Sequence, residues 1–267
     1  MLNYENSKFL TLEELKETTP SIFTKIGSSD TSKKYTHIPT DRVIKDLELL
    51  GWGVVDAKEV KARKGEGYQK HLVVFRNPDV VINGKDGDTV YPQILLTNSH
   101  DAKNSFQFQA GLFRMICENG LVIADEQFED YKIRHMGYDF ETLQGVIKDM
   151  IANLNLTVES MNKMKSIELN EEQQLELAKN LLDIRIEGTN NTYSQDQISE
   201  VNVPQRDEDM TDDLWTRFNV IQENIIEGNF LYDTIGGKSR QARVIKNFKQ
   251  DIDLNKKMFK AALEFVA

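Results

Sequence analysis

Residues 91–110 read YPQILLTNSHDAKNSFQFQA, and this stretch decides the fold. The run YPQILLT is mostly apolar and ends in a cluster of turn formers, Asn98–Asp101, so it indicates a strand that stops at a turn. In SFQFQA the phenylalanines and glutamines alternate with a period of two, which places Phe106 and Phe108 on one face and the glutamines on the other. The stretch therefore predicts two antiparallel strands joined by a tight turn.

The segments on either side predict more of the same sheet and two helices. Residues 52–79 contain two runs typical of strands around a turn with two glycines, which indicates a hairpin. TDRVIKDLELLG carries one apolar face, with Thr40 placed as N-cap and Gly51 as C-cap. In LFRMICENG the apolar residues fall at helical spacing, and Asn119-Gly120 is typical of a helix end, so a short helix is predicted there.

The second half of the chain is predicted to be helical. A long helical pattern begins near Asp139, and a second one begins at Asn170, which forms a capping box with Gln173. Apolar residues at helical spacing recur in LWTRFNVIQENII, and the last helix is predicted to begin near Lys238. The fold class is thus α+β, with an antiparallel β-sheet core, flanking helices and a helical C-terminal half. We expect the following segments: an N-terminal arm (1–36), a core domain (37–187), a flexible acidic loop (188–210) and C-terminal helices packing on the core (211–267).

Composition and charge narrow the function classes. The chain has 267 residues, a formal net charge of -10, and one cysteine, Cys117. A net negative protein gains no long-range attraction to nucleic acids or anionic membranes, so any such contact needs a local basic patch. One cysteine excludes an intrachain disulfide and fits a reducing compartment. The N-terminus resembles no signal peptide and no apolar run could span a membrane, so we expect a cytoplasmic protein with no membrane partner.

Basic residues are concentrated in two segments, which we call the first and second basic islands. The first island, between residues 58 and 76, has six basic residues against two acidic ones: Lys58, Lys61, Arg63, Lys64, Lys70 and Arg76. The second island, residues 238–249, has five basic residues and no acid: Lys238, Arg240, Arg243, Lys246 and Lys249. On a helix the last three would form a row able to follow phosphates. The alternatives are solvated surfaces, or intramolecular partners for the acidic run at residues 207–213.

Catalytic arrangements have weaker support in the sequence. His71, His100, Asp101 and His135 could supply metal ligands, but their spacing matches no local metal motif. Ser99, His100 and Asp101 are adjacent in sequence, so their side chains diverge and cannot form a catalytic triad by themselves. A turn that hydrogen-bonds its own backbone is the alternative. We therefore expect a non-enzymatic protein without a cofactor, and keep a metal-dependent hydrolase as the third hypothesis.

Three segments carry a resemblance to a known family: TNSHDAKNSFQFQAGLFRMICENGLVI, IRHMGYDFETLQGVI, and DDLWTRFNVIQENIIEG with the distal RQARVIKNFKQDIDLNKKMF. Together they resemble the phage/plasmid-like proteins, a family of unknown function found on mobile elements and prophages. The resemblance covers the chain from about residue 40 onward. The positions that carry it in the first segment are Asn98, Ser99, His100, Asp101, Arg114, Asn119 and Gly120.

The resemblance implies a mobile-element context, and hence replication, recombination or anti-defence. The order of elements around Gly51-Trp52 is also similar to that of single-strand annealing proteins, which bind single-stranded DNA as oligomeric rings. The leading hypothesis is a phage- or plasmid-encoded protein that binds single-stranded DNA as a homo-oligomer through both basic islands, with annealing of complementary strands as an extension of this hypothesis. The alternative is an acidic interaction protein that inhibits or mimics a host protein. Arg114 either pairs with a buried acid such as Asp101 or reaches a ligand.

Overall fold

The computed structural model describes residues 9–31, 35–61, 67–83, 89–104, 106–114, 119–122, 131–133 and 139–265. The α-helices in these ranges are α1 (Leu12–Thr18), α2 (Thr40–Glu48), α3 (Phe140–Lys165), α4 (Glu171–Ile186), α5 (Gln195–Val201), α6 (Leu214–Glu227) and α7 (Phe248–Leu263). The strands are β1 (Gly53–Glu59), β2 (His71–Arg76), β3 (Ile82–Asn83), β4 (Thr89–Asn98), β5 (Phe106–Arg114), β6 (Asn119–Val122), β7 (Tyr131–Ile133), β8 (Leu231–Asp233) and β9 (Ser239–Gln241). The α+β class predicted from sequence is confirmed. The chain divides into two compact units, and the boundary at Leu154 falls inside α3.

The first unit comprises Met1–Met115 and Glu126–Leu154, and its centre is an antiparallel sheet. The main strands follow the order β1-β2-β4-β5, while β3 pairs with β4 and β7 pairs with β5. The predicted turn between β4 and β5 is confirmed, and Leu96 of β4 lies opposite Phe108 of β5. Phe106 and Phe108 are fully buried, with ring centroids 5.0 Å apart. Apolar burial of this sheet face stabilises the unit.

Two segments of the first unit differ from what their local sequence patterns predict: LFRMICENG and the N-terminal arm. β5 continues to Arg114 because β4 is long enough to pair with it up to Val90, so the helix predicted in LFRMICENG is wrong. Residues 115–118 lie outside the described residues, and Asn119-Gly120, predicted as a helix end, begins β6. The predicted N-terminal arm contributes fully buried Leu15 and Ile22 to the core, because burying them removes apolar surface from water.

The second unit comprises Ile116–Asp125 and Asn155–Ala267, and α6 is its central helix. Every residue of α6 except Glu223 and Glu227 is buried, and α4, α5 and α7 all contact it. The predicted capping box of α4 is confirmed, since the Asn170 side chain accepts from the backbone of Gln173 at 2.9 Å and the reverse bond measures 3.0 Å. The segment predicted as a flexible acidic loop contains α5, which begins with a second capping box at Ser194.

The second basic island does not form one helix. Residues 239–241 form β9, which pairs with β8 in a two-stranded hairpin, and α7 begins only at Phe248. The turn between the strands contains Gly237, whose φ of 68° favours glycine. The helix predicted to begin near Lys238 is therefore wrong. Arg243 and Lys246 lie in the irregular segment between β9 and α7, and Lys249 lies in α7, so the predicted helical row does not form.

Candidate anion-binding pocket

A buried polar network in the first unit contains two of the proposed metal ligands. His71 and His100 are fully buried, with ring centroids 5.3 Å apart, and His37 lies 4.6 Å from His100 on the other side. Nε2 of His71 lies 2.8 Å from the hydroxyl of Thr40, which accepts a hydrogen bond from the Asn98 amide at 2.9 Å. Thr40, predicted as an N-cap, begins α2 and directs its hydroxyl into this network instead.

The hydrogen bonds around His71 indicate a neutral imidazole. Because the Thr40 hydroxyl accepts from Asn98, it donates its proton to Nε2 of His71. Nδ1 of His71 lies 3.0 Å from the Ser21 hydroxyl and 3.1 Å from the Gln69 carbonyl, to which it can donate. Burial lowers the pKa of His71 to about 4, and the bond to Gln69 opposes this shift. Both ring nitrogens are thus engaged by the protein itself.

The proposed metal ligands do not form a metal site in the part of the chain that the structure describes. His135 lies outside the described residues, and no group of three or more His, Cys, Asp or Glu side chains within them could hold a metal ion. Asp101 is engaged elsewhere, since Oδ1 accepts from the Ser99 hydroxyl at 2.8 Å and from the Lys103 backbone at 3.1 Å. These bonds stabilise the turn after β4.

The signature positions of the first segment hold the sheet and its turn. Asn98 donates to the Ile38 carbonyl at 3.2 Å, and its own side-chain oxygen accepts from the Ser99 backbone at 2.8 Å. Asn98, Ser99 and His100 are all fully buried. Arg114 lies in β5, but its side chain is outside the described residues, so its pairing with Asp101 or with a ligand stays a prediction.

The turn also holds Ala102 in the left-handed region, with a φ of 58°. For an L-residue with a Cβ this conformation costs about 1–2 kcal/mol. We expect Ala102→Gly to raise the free energy of unfolding by about 0.5–1 kcal/mol, measured by urea denaturation. Ala57→Gly in β1 is the control and should lower it, since glycine weakens an ordinary strand position. Equal losses in the two variants would contradict the interpretation.

Most of the first basic island is engaged within the protein or lies outside the described residues. Arg76 is buried, and its guanidinium carbon lies 5.3 Å from the ring centroid of Tyr91. Lys58 pairs with Asp56 at 2.9 Å. Lys70 is half-buried and Lys61 is exposed, while Arg63 and Lys64 lie outside the described residues. In the described residues, Lys61 is therefore the member of this island best placed to meet an external anion.

The acidic run at residues 207–213 is partly used inside the second unit. Asp209 is almost fully buried beside Arg206, with a contact of 3.1 Å, and Asp213 caps α6 by accepting from the Thr216 backbone at 2.9 Å. Arg206 also forms a two-point ion pair with Glu223 of α6, with contacts of 2.8 and 2.5 Å. These bonds link the acidic segment to α6.

The second basic island presents its charges to solvent. Its five basic residues are all exposed, and within the described ranges none of them forms an ion pair: Lys238, Arg240, Arg243, Lys246 and Lys249. The whole chain has a net charge of -10, whereas this segment of a dozen residues has a surplus of positive charge. The segment is therefore free to bind an external anion.

Two of these arginines line a cavity together with Arg185 of α4. The cavity, which we call the Arg185 pocket, has a volume of about 390 Å³ and is lined by Arg185, Ile186, Thr189, Asn191, Phe230, Tyr232, Arg240, Ala242 and Arg243. The side chain of Arg185 donates from Nη2 to the Arg243 carbonyl at 3.1 Å. That bond joins α4 to the segment after β9 and holds the guanidinium beside the cavity. No Asp or Glu is among the lining residues.

Arg185 is the most enclosed of the three arginines. Its Nε is buried and makes no hydrogen bond with the residues that the structure describes. Burial lowers the pKa of Arg185, while the nearby Tyr232 acts in the opposite direction. The lining of this cavity offers no acid to the half-buried guanidinium, whose Nε donor is unused, and an anionic ligand in the cavity would accept a hydrogen bond from it.

Sequence reasoning identified Arg240 and Arg243 but missed Arg185 and Tyr232. Arg185 is one arginine in the helical run LLDIRIEG, and nothing in that run distinguishes it from a solvent-exposed helix residue. Its partner Arg243 is 58 positions away, so no local pattern connects them. A weak signal existed only for Tyr232, which precedes the turn Gly236-Gly237 and the second basic island.

Comparison with known proteins identifies relatives along nearly the whole chain. A family profile described as "Domain of unknown function (DUF932)" matches residues 29–259. The UPF0380 protein YafZ of Escherichia coli (strain K12) is 31% identical over 255 residues, which cover 94% of this chain and 89% of the relative. The UPF0380 protein YfjQ of the same strain is 30% identical over 255 residues, with the same shares. No solved structure matches the chain.

The helices and the names of the relatives were also compared with the sequence-based expectations. None of the helices in the described part of the chain combines the length and the apolar composition needed to cross a membrane. The names of the two relatives state no substrate, partner or activity. The family description states no substrate, partner or activity either.

Proposed function

This chain belongs to the family described as Domain of unknown function (DUF932), and we propose that it is a non-enzymatic protein that binds single-stranded DNA through its second basic island. One observation carries the proposal. The five basic side chains of residues 238–249 are exposed, and none is in an ion pair within the described part of the chain. Cations in this state can neutralise phosphates and release counterions, which is the main source of affinity for a nucleic acid backbone.

A single strand is favoured over a duplex by the aromatic side chains beside the arginines. Tyr232 and Phe230 line the same cavity as Arg240 and Arg243, and Tyr232 is half-buried. Proteins that bind single strands combine a positive surface for phosphates with aromatic rings on which the bases stack. The paired strands of a duplex keep their bases stacked on each other, so these rings would have no accessible base.

The proposal predicts a defined salt dependence. In the double variant Lys246→Gln/Lys249→Gln, the negative slope of log K against log salt concentration should become shallower by about 1.4, because each phosphate contact with a single strand contributes about −0.7. Affinity at low salt should fall on the order of tenfold. Fluorescence anisotropy with a labelled oligonucleotide across a salt series measures both quantities.

The matched control is Lys45→Gln/Lys148→Gln, which removes the same charge from exposed positions of the first unit. It should leave the slope unchanged. An equal loss in the control would mean that only net charge matters and would contradict a localised surface. If the wild-type protein binds more weakly than about 10⁻⁴ M at low salt, the whole proposal is wrong.

The resemblance to single-strand annealing proteins extends the proposal to oligomers that anneal complementary strands. The test is whether the protein accelerates pairing of two complementary oligonucleotides and elutes as an oligomer at the same concentration. Binding without acceleration would restrict the function to single-strand binding.

A second candidate is an interaction protein that inhibits or mimics a host protein. It is favoured by exposed Val203 and Met210, which lie on either side of the exposed acids Asp207 and Glu208. A basic partner with an apolar patch would fit this surface. Charge reversal at Asp207 and Glu208 should abolish capture of such a partner while single-strand binding is retained, whereas capture that survives the reversal would argue against this surface.

A further inference from the structure

The Arg185 pocket has the size and depth of a site for one small ligand. Its volume of about 390 Å³ falls in the range of about 300–1,000 Å³ that is typical of small-molecule sites. Phe230 and Ala242 are buried and form its apolar part, whereas Arg240, Arg243 and Thr189 are exposed. The pocket thus combines an enclosed apolar part with a charged, accessible part.

The charge of the lining selects an anion. Three arginines and no acid line this cavity, whereas the neighbouring cavity of about 370 Å³ that also includes Arg185 is lined by Glu187 and Asp253 as well. In that second cavity two acids face three cations, and Lys257 pairs with Glu187. The excess of positive charge is therefore larger in the Arg185 pocket, where no acid offsets the three arginines.

The type of cation and the aromatic lining narrow the ligand further. Guanidinium groups bind phosphate in a bidentate manner, and three of them exceed what one carboxylate can neutralise. A phosphate monoester carries close to two negative charges at neutral pH. The half-buried Tyr232 supplies ring surface for a planar group, and Asn191 and Thr189 supply polar atoms. A phosphate attached to an aromatic base through a sugar has these features.

We infer that the Arg185 pocket binds the phosphate monoester of a single nucleotide, with Arg185 on the phosphate and Tyr232 against the base. Two sources offer this chemistry: a free nucleoside monophosphate and the 5′-phosphorylated end of a DNA strand. The second source rests on the proposed function, because Arg240 and Arg243 belong to both the pocket and the second basic island. The first source does not depend on strand binding.

Calorimetric titration of the full chain with AMP, adenosine and inorganic phosphate tests the pocket. We expect AMP to bind and adenosine to show no detectable binding. Arg185→Gln should weaken AMP binding about 10-fold to 100-fold, as loss of a charge-assisted hydrogen bond does. Arg42→Gln is the control, since it removes the same charge from a surface pair with Asp46 in the first unit. Equal binding of AMP and adenosine would overturn the inference.

A second variant keeps the test valid if Arg185→Gln does not fold. Tyr232→Leu should weaken AMP binding at least fivefold through lost stacking, while the affinity for inorganic phosphate stays unchanged. Weaker AMP binding with unchanged phosphate binding would mean that Tyr232 contacts the base and the arginines contact the phosphate. If Tyr232 had only a structural role, both ligands would bind more weakly. Parallel losses for AMP and phosphate would overturn the assignment of the base.

Oligonucleotides with a 5′-phosphate or a 5′-hydroxyl distinguish the two sources. A preference of tenfold or more for the phosphorylated strand, lost in Arg185→Gln, supports binding of strand ends. AMP binding without such a preference supports the free nucleotide. Suppose that AMP does not bind and that 5′-phosphorylated strands are not preferred, while strands still bind with a steep salt dependence. The inference about the pocket then fails, and the proposed function stands. If AMP binds and no strand does, the proposed function fails and the pocket stands.

Discussion

Acidification from pH 6.5 to pH 4 should lower the free energy of unfolding of the first unit by about 3 kcal/mol through His71 alone. The pKa of His71 is about 4 in the folded protein, whereas its ordinary value is 6.5. Between these values the unfolded chain binds a proton and the folded chain does not, so the loss accumulates as the pH falls. More than about one pH unit above 6.5 or below 4, this residue adds no further pH dependence.

The physical reason is that a charged imidazole has no compensation at this position. Protonation would add an N–H donor at Nε2, which faces the Thr40 hydroxyl, and that hydroxyl already donates to the ring while it accepts from the Asn98 amide. Desolvation of the charge adds to the cost, because His71 is fully buried. The network is therefore stable only with a neutral histidine.

Urea denaturation across this pH range measures the effect, with His71→Gln as the comparison. The variant should be less stable than wild type at pH 7.5, but the difference should narrow by about 3 kcal/mol at pH 4 because glutamine does not titrate. Proton NMR gives an independent test, since the chain has four histidines and one of them should not titrate near pH 6.5. Parallel stability curves for the two proteins would contradict the neutral network.

Gly228→Ala should cost about 2–4 kcal/mol of the stability of the second unit. Gly228 ends α6 with a φ of 77°, which costs an alanine about 1–2 kcal/mol. A Cβ at this position would lie 2.8 Å from the Ala242 carbonyl oxygen and 2.9 Å from the carbonyl carbon of Arg243. These are backbone atoms, so the segment after β9 must move, and overpacking of this kind costs about 1–3 kcal/mol.

Gly188→Ala is the matched control for this effect. Gly188 has a similar φ of 74°, but a Cβ there meets no atom within 4 Å, so only the conformational cost of about 1–2 kcal/mol is expected. Thermal or urea denaturation of both variants separates the two contributions. Because Ala242 and Arg243 also line the Arg185 pocket, Gly228→Ala should weaken AMP binding as well. Equal destabilisation by the two substitutions would show that the close approach does not constrain the backbone.

Local signals predicted the elements in which neighbours in sequence decide the structure. The β4-turn-β5 arrangement followed from alternation and turn formers, and the start of α4 followed from the Asn170 capping box. Both depend on residues within a few positions of each other. The helix predicted in LFRMICENG was wrong at its start because residues 112–114 pair with β4, whose hydrogen-bonding partners come from outside the local sequence.

The candidate site was also predicted only in part, because it depends on contacts between residues that are distant in sequence. Sequence identified the second basic island as a surplus of positive charge, but it assigned a helix where β9 and an irregular segment occur. It gave equal weight to the first basic island, in which Arg76 is buried against Tyr91 and Lys58 pairs with Asp56. Whether a cation is exposed depends on contacts that a charge count does not contain.

Local sequence patterns were sufficient for the α+β class, the strand-turn-strand centre, the N-terminal capping box of α4 and the two regions of positive charge. These properties arise from side-chain periodicity and from hydrogen bonds over three or four residues. Two hydrogen bonds depend on the tertiary structure: the one between Thr40 and the buried His71, and the one from Arg185 to the carbonyl of Arg243. Burial and the choice of partner depend on residues brought together from distant positions, because each buried polar group must be satisfied by whatever the fold places beside it.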